Sequence, residues 1–267
     1  MSTKNFFDNL SPKSALIVGV VSGVLVLCTI GFMVMLGMFL SEKTIASQDG
    51  GELTAVEAKD FGLPKTDKPN VELFIMTHCP YGLQMQKAYL PVYDLLKDKA
   101  DMQIKFVYYV MHGLPEVQEE TRQYCIQKEQ TDKYSAYADC FSKTGDTQTC
   151  LTATGVDEAK MNVCYNKTDA EYGIIASYED QASWLSGHYP LYPIYNADNE
   201  KYEVQGSPTL IINGEKASVD RSPEMFKQAV CSSFTSPPEE CSTVLSSAPA
   251  SAGFGTGVGT ATNASCE

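Results

Sequence analysis

Apolar and polar positions divide the chain into zones. Residues 15–40 contain no charged side chain, residues 41–69 are polar with scattered Lys, Asp and Pro, and residues 70–235 alternate short apolar runs with amphipathic stretches. From residue 236 on, the chain turns to Ser, Pro, Ala, Gly and Thr and soon loses almost all charge. The 26 residues of 15–40 would make a helix of roughly 39 Å, against a bilayer hydrocarbon core of about 30 Å. This pattern predicts one transmembrane helix over 15–40. Lys4 and Lys13 favour a cytoplasmic side for residues 1–14, although Lys43 beyond the span weakens the contrast. No small-residue cleavage site follows, so the span reads as an uncleaved anchor and 41–69 as a flexible tether. The composition of 236–267 predicts a disordered tail.

Within 70–235, Val71 to Ile75 is β-branched and aromatic, is bounded by Lys68-Pro69-Asn70, and reads as a buried strand. Leu83 to Lys99 carries apolar residues at helical spacing, with Pro91 expected to kink or interrupt the helix. Met102 to Val110 is a second strand, apolar enough for burial on both faces, which makes the unit a parallel βαβ. A helical insertion then runs over about 114–188, with helices expected at 116–141, 157–165 and 169–185. After the Pro- and Tyr-rich stretch 189–199 come a turn at Gly206-Ser207-Pro208-Thr209, a short strand, and a hairpin turn at Asn213-Gly214. Lys216 to Val219 would be an antiparallel edge strand. Ser222 and Pro223 then open a last helix to about Phe234.

The net charge of −13, from 33 acidic and 20 basic residues, comes without any Lys/Arg cluster and argues against a nucleic-acid partner. None of the nine cysteines has a C-x-x-C or zinc-finger spacing, so the chain calls for no metal and no cofactor. Disulfides in an oxidising, extracytoplasmic compartment are the better use. Cys125, Cys140, Cys150 and Cys164 are spaced nearly symmetrically about the turn 143–146. That would suit nested bridges Cys125–Cys164 and Cys140–Cys150, although spacing alone does not fix connectivity. Cys231 and Cys241 could close a local loop. The Gly-Phe-Gly-Thr-Gly-Val-Gly run of the tail lacks the Lys-Ser/Thr of a phosphate loop and no strand precedes it.

Candidate chemistry gathers where the first strand meets the first helix, at Thr77-His78-Cys79-Pro80-Tyr81-Gly82. Cys79 falls at the helix cap and Pro80 at the first helical position, where a missing N–H costs nothing. A sulfur there faces unpaired backbone N–H groups and the positive end of the helix dipole, both of which favour the reactive thiolate. The alternative is a cysteine that only packs. His78 could add positive charge beside the sulfur or be a plain surface histidine, and Tyr81 reads as an exposed, substrate-facing aromatic. His112 and His188 are isolated and read as core or surface residues.

The order strand, Cys79-Pro80-Tyr81-Gly82 at a helix start, strand, helical insert, Ser207-Pro208-Thr209, hairpin, helix resembles the thioredoxin superfamily, and the insert looks like its DsbA-like branch. The resemblance covers roughly residues 70 to 235. It implies an α/β thioredoxin-like fold, a central mixed sheet flanked by helices, with the helical insertion. It also implies thiol–disulfide exchange by Cys79 on protein thiols or disulfides, a cis peptide before Pro208, and substrate contacts from Ser207, Pro208 and Thr209. A small-molecule thiol or a membrane redox partner would complete the cycle. The family's second cysteine is replaced by Gly82. Three readings follow: a monothiol, resolution by a distant cysteine such as Cys266, or a binding module without redox turnover.

Overall fold

The computed structural model describes residues 61–258, together with Lys59 and, nearer the N-terminus, Leu25, Cys28 and Thr29. The chain divides into two units, residues 1–55 and 56–267. In the first unit the three described residues are helical. The rest of the span expected over 15–40 lies outside the described residues, and among those described no helix is long and apolar enough to cross a membrane.

The second unit is built on β1 (Asn70–Ile75), whose six residues are buried apart from Asn70. Helix α1 (Pro80–Leu96) returns the chain, and β2 (Asp101–Phe106) pairs with β1 in parallel, Leu73 opposite Ile104. The second half of the sheet is β3 (Thr209–Ile212), antiparallel to β1, and the three-residue edge β4 (Glu215–Ala217), joined through Asn213-Gly214. The strand order is β2-β1-β3-β4. Pro91 sits inside α1 without ending it, since the helix runs on for five residues to Leu96. The second strand is shorter than its apolar run suggests. Val107 N–H makes its bond to Ile75 O at 3.2 Å, and there β1 ends. Beyond it the chain turns to 189–192 instead, through Tyr192 N–H to Tyr108 O and Val110 N–H to Pro190 O.

The insertion forms α2 (Leu114–Glu129), α3 (Thr131–Thr144), α4 (Thr147–Thr154), α5 (Glu158–Tyr172) and the short α6 (Ile174–Glu179). The single helix expected over 116–141 breaks at Gln130, which leaves helical geometry while its side-chain amide bonds both backbone groups of Asp157. Nested disulfides Cys125–Cys164 and Cys140–Cys150 tie α2 to α5 and α3 to α4, and Cys231–Cys241 closes a loop after α8 (Pro223–Ser232). Ser222 caps α8 by accepting from Met225 N–H.

β1 serves two cores because successive side chains of a strand point to opposite faces. Val71, Leu73 and Ile75 join Tyr89, Tyr93, Phe226 and the insertion's Tyr134 and Tyr137 in the larger one. Phe74 joins Met76, Cys79, Val107, Tyr202, Val204 and Ile211 in the smaller, which α7 (Asn196–Lys201) borders. On that second side Lys105 lies between Glu72 at 2.5 Å and Asp198 at 2.6 Å. Burial opposes its charge, but hydrogen bonds to the two carboxylates outweigh burial and raise its pKa.

Two expectations fail at the edges of this domain. The tether expected to run to residue 69 is packed by residue 61. Phe61 and Leu63 lie on the larger core, and Thr66 exchanges backbone bonds with Ser233 and Thr235 at 2.9 and 2.8 Å. The tail expected to be disordered from 236 lies against the domain as far as 258. Low-complexity composition signals that a segment cannot build a core of its own, not that it lacks a surface to lie on.

Candidate active site

Cys79 takes extended geometry at the N-cap of α1, with Pro80 in the first turn, because Pro fits the one place in a helix where no N–H is needed. Cys79 N–H donates to Met76 O at 3.1 Å and Leu83 N–H to Cys79 O at 2.9 Å, which fixes the corner between strand and helix. Cys79 as a residue is almost fully buried, at 1 % exposure.

The peptide between Ser207 and Pro208 is cis, and this turn lies against the corner. The Cys79 thiol donates to Ser207 O at 3.6 Å, while Met76 N–H donates to Ser207 Oγ at 2.9 Å. One residue therefore holds both the strand end and the sulfur. Thr209 Oγ1 donates to Gly206 O at 2.8 Å and steadies the turn before β3 begins. Beside it, Tyr109 OH donates to Gln205 O at 3.1 Å, and a depression of about 430 Å³ opens between Tyr108, Asn199, Glu203, Val204 and Gln205.

Gly82 occupies the third position of α1 with ordinary helical backbone, so conformational freedom is not its reason. Space is. A Cβ there would lie 2.4 Å from Ser207 Oγ and 2.9 Å from Met76 O. The hydroxyl of Ser207 stands where a side chain at 82 would go. Tyr81, expected to be exposed, is half-buried, with the Arg221 guanidinium 4.7 Å over its ring.

Burial works against the positive charge that His78 could place beside Cys79. Burial lowers its pKa, the nearby His112 adds to the effect, and Glu116 opposes it. His112 is instead the histidine whose pKa is raised. It lies 2.6 Å from the fully buried Glu116, whose hydrogen bond and charge outweigh burial. Glu116 also accepts from the backbone N–H groups of His78, Met111 and His112, and so joins the cysteine corner to the start of α2. Next to it, Glu120 accepts from Thr77 N–H at 3.4 Å, and burial followed by repulsion from Glu116 pushes its carboxyl well above the usual range.

This carboxylate cluster is not among the candidate sites that the sequence offers, and His112, isolated along the chain, belongs to it. A signal was present: Glu116, Glu119, Glu120 and Gln123 recur at the spacing of one helix face, and all four are buried. His188 lies at the exposed turn 185–189, its ring 6.3 Å from that of Tyr189. Among the described residues no group of His, Cys, Asp and Glu could hold a metal ion. Cys125, Cys140, Cys150, Cys164, Cys231 and Cys241 are consumed in disulfides, Cys28 and Cys79 are not among those bridges, and Cys266 lies outside the described residues.

No family model matches the chain, and no curated protein matches it. Solved structures that it resembles include the disulfide bond oxidoreductase DsbG of Mycobacterium tuberculosis in its reduced form, 13 % identical over 68 % of this chain and 88 % of that one, with a TM-score of 0.46. Reduced DsbA of the same organism is 13 % identical over 68 % and 93 %, with a TM-score of 0.45. Oxidised BdbD of Bacillus subtilis is 18 % identical over 63 % and 89 %, with a TM-score of 0.40.

Ala in place of Gly at an open helical position stabilises by about 1 kcal/mol. Here Gly82→Ala is expected to destabilise by about 1–3 kcal/mol in chemical denaturation, as overpacking does. Ser207→Ala is also destabilising, because it strands the Met76 N–H, yet the double variant costs less than the sum, with a coupling of about 1 kcal/mol. Strict additivity would place the two residues out of contact. For the histidines, NMR titration is expected to put His112 above its ordinary value of about 6.5 and His78 below it, with Glu116→Gln dropping His112. Since the fold raises the His112 pKa, the stability this pair contributes is full at pH below about 6.5 and fades as pH rises through the raised value. An unshifted His112 would contradict the ion pair.

Proposed function

We propose that this protein exchanges thiols and disulfides on protein clients through the single sulfur of Cys79, in a thioredoxin-like domain of the DsbA-like kind. The observation that carries this reading is the junction at Ser207. A cysteine sits at a helix N-terminus, its sulfur lies against the carbonyl that precedes a cis-proline, and the third residue on is a glycine with no room for a second thiol. The Cys79 thiolate attacks one sulfur of a client disulfide, forming a mixed disulfide and expelling the other client sulfur as thiolate. Without a thiol at position 82, the intermediate is resolved from outside. A second client thiolate attacks the client-side sulfur and frees Cys79, which completes an isomerisation; or a small-molecule thiolate attacks the Cys79 sulfur and releases the client with both its thiols, and a second small-molecule thiolate then frees Cys79 and leaves as the small-molecule disulfide. Pro208 and the backbone beside Ser207 and Thr209 would receive an extended client segment by strand addition.

Three disulfides in one domain support an oxidising compartment, and the uncharged run 15–40 supports an anchor in the cell membrane with residues 70–235 on the extracytoplasmic side. A second reading, a non-catalytic module that holds extended or cysteine-bearing segments, is favoured by the near-complete burial of Cys79.

Trapping separates the two. Mixed with a peptide containing one disulfide, the protein is expected to form a covalent adduct that reducing agent removes, that maps to Cys79, and that Cys79→Ser abolishes. Absence of any adduct would favour the binding module, and adducts that persist in Cys79→Ser would move the chemistry to another cysteine, Cys266 first.

A further inference from the structure

The segment after Cys241 satisfies polar groups of α1 that the helix pattern leaves for solvent. It first crosses the start of α8, where Glu224 N–H donates to Ser246 O at 3.0 Å. At Ala250 it reaches α1: the Gln84 amide donates to Ala250 O at 2.7 Å, and Ala250 N–H donates to Arg221 O at 3.3 Å. The Lys87 ammonium then spends its protons on three acceptors of the segment, Ser251 Oγ at 3.2 Å, Gly253 O at 2.8 Å and Gly255 O at 3.0 Å. Gly253 N–H donates to Pro80 O at 2.9 Å. The Phe254 ring lies 5.7 Å from that of His78 and 5.4 Å from that of Phe141, over Gly145, where a Cβ would come within 3.3 Å of it. The segment closes on itself through Ser251 N–H to Gly257 O at 2.9 Å.

The residues on both sides of Cys79 are thus engaged, His78 by an aromatic ring and Pro80 by a backbone bond. We infer that residues 250–257 are a displaceable strap, which holds the Cys79 corner closed and which a client segment must displace to reach the sulfur. This rests on the exchange reading of Cys79, and deepens it by assigning the site a built-in competitor. Displacement is easy for physical reasons. Gly253, Gly255 and Gly257 lose much conformational entropy on ordering, the one large apolar anchor, Phe254, stays 42 % exposed, and no disulfide follows Cys241 among the described residues. The contacts favour a client with an aromatic side chain between small residues, since that is what the strap itself presents.

The test uses the full chain and alkylation of Cys79 by iodoacetamide, followed by mass mapping of the Cys79 peptide. Phe254→Ala removes the ring anchor. Gly253→Pro removes the N–H that meets Pro80 O and cannot adopt the φ of +69° found there. Both are expected to speed labelling of Cys79 by about tenfold or more, as loss of a closed population does. A nine-residue peptide of sequence 250–258, added to the Phe254→Ala protein, is expected to slow labelling again. Unchanged labelling in both variants would overturn the strap. So would a rise that the peptide does not reverse, because global unfolding produces that result. Alkylation needs no exchange chemistry, so faster labelling without adducts on a disulfide peptide would leave the strap standing and overturn the exchange reading.

Discussion

The cysteine corner depends on the side of Ser207 that faces β1. Its hydroxyl takes the Met76 N–H, its carbonyl takes the Cys79 thiol, and its bulk fills the space above Gly82. These three contacts link segments more than a hundred residues apart, and they explain why the sheet has to be assembled before the sulfur has a defined environment. β3 must pair with β1, in the register that sets Thr209 opposite Phe74, for Ser207 to arrive at the strand end. Hydrogen-bonded contact across such a separation is worth little in open water, but here it satisfies backbone that burial would otherwise penalise.

Electrostatics around the corner come from an unexpected quarter. Burial lowers the pKa of the adjacent histidine, while Glu116 gathers three backbone N–H groups and the His112 ring into one knot. A buried carboxylate so well provided with donors costs less than its depth suggests. Its neighbour Glu120 has fewer donors, and burial, followed by repulsion from Glu116, raises its carboxyl pKa well above the usual range. The helical insertion therefore does more than enlarge the core, since the carboxyl groups of α2 hold the backbone of the cysteine loop.

Much of this was legible in the residues. Val71 to Ile75 read as the buried strand, Cys79-Pro80 as a helix start and Ser222-Pro223 as another because each obeys a local rule of backbone chemistry. The nested pairing of Cys125 with Cys164 and Cys140 with Cys150 suits the spacing, although only the packing of α2 on α5 and of α3 on α4 chooses it over other connectivities. What could not be read depends on partners distant in the chain. Gln130 ends a helix because Asp157 is there to receive its amide. Gln84 and Lys87 look like solvent-facing positions until the segment 250–257 covers them. The acidic face of α2 ran against the habit of assigning carboxylates to the surface, and Phe254 stood alone in a stretch whose composition signals no core.

Among the described residues Cys79 brings one sulfur to this corner, and Gly82 stands where a second would have to be. Thiol release on mixing the protein, its three disulfides intact, with an excess of disulfide peptide measures that directly. The expected result is one equivalent of peptide thiol per reacting Cys79 and a peptide still bonded to that residue. Two equivalents, with Cys79 recovered in an internal disulfide and no peptide attached, would contradict it.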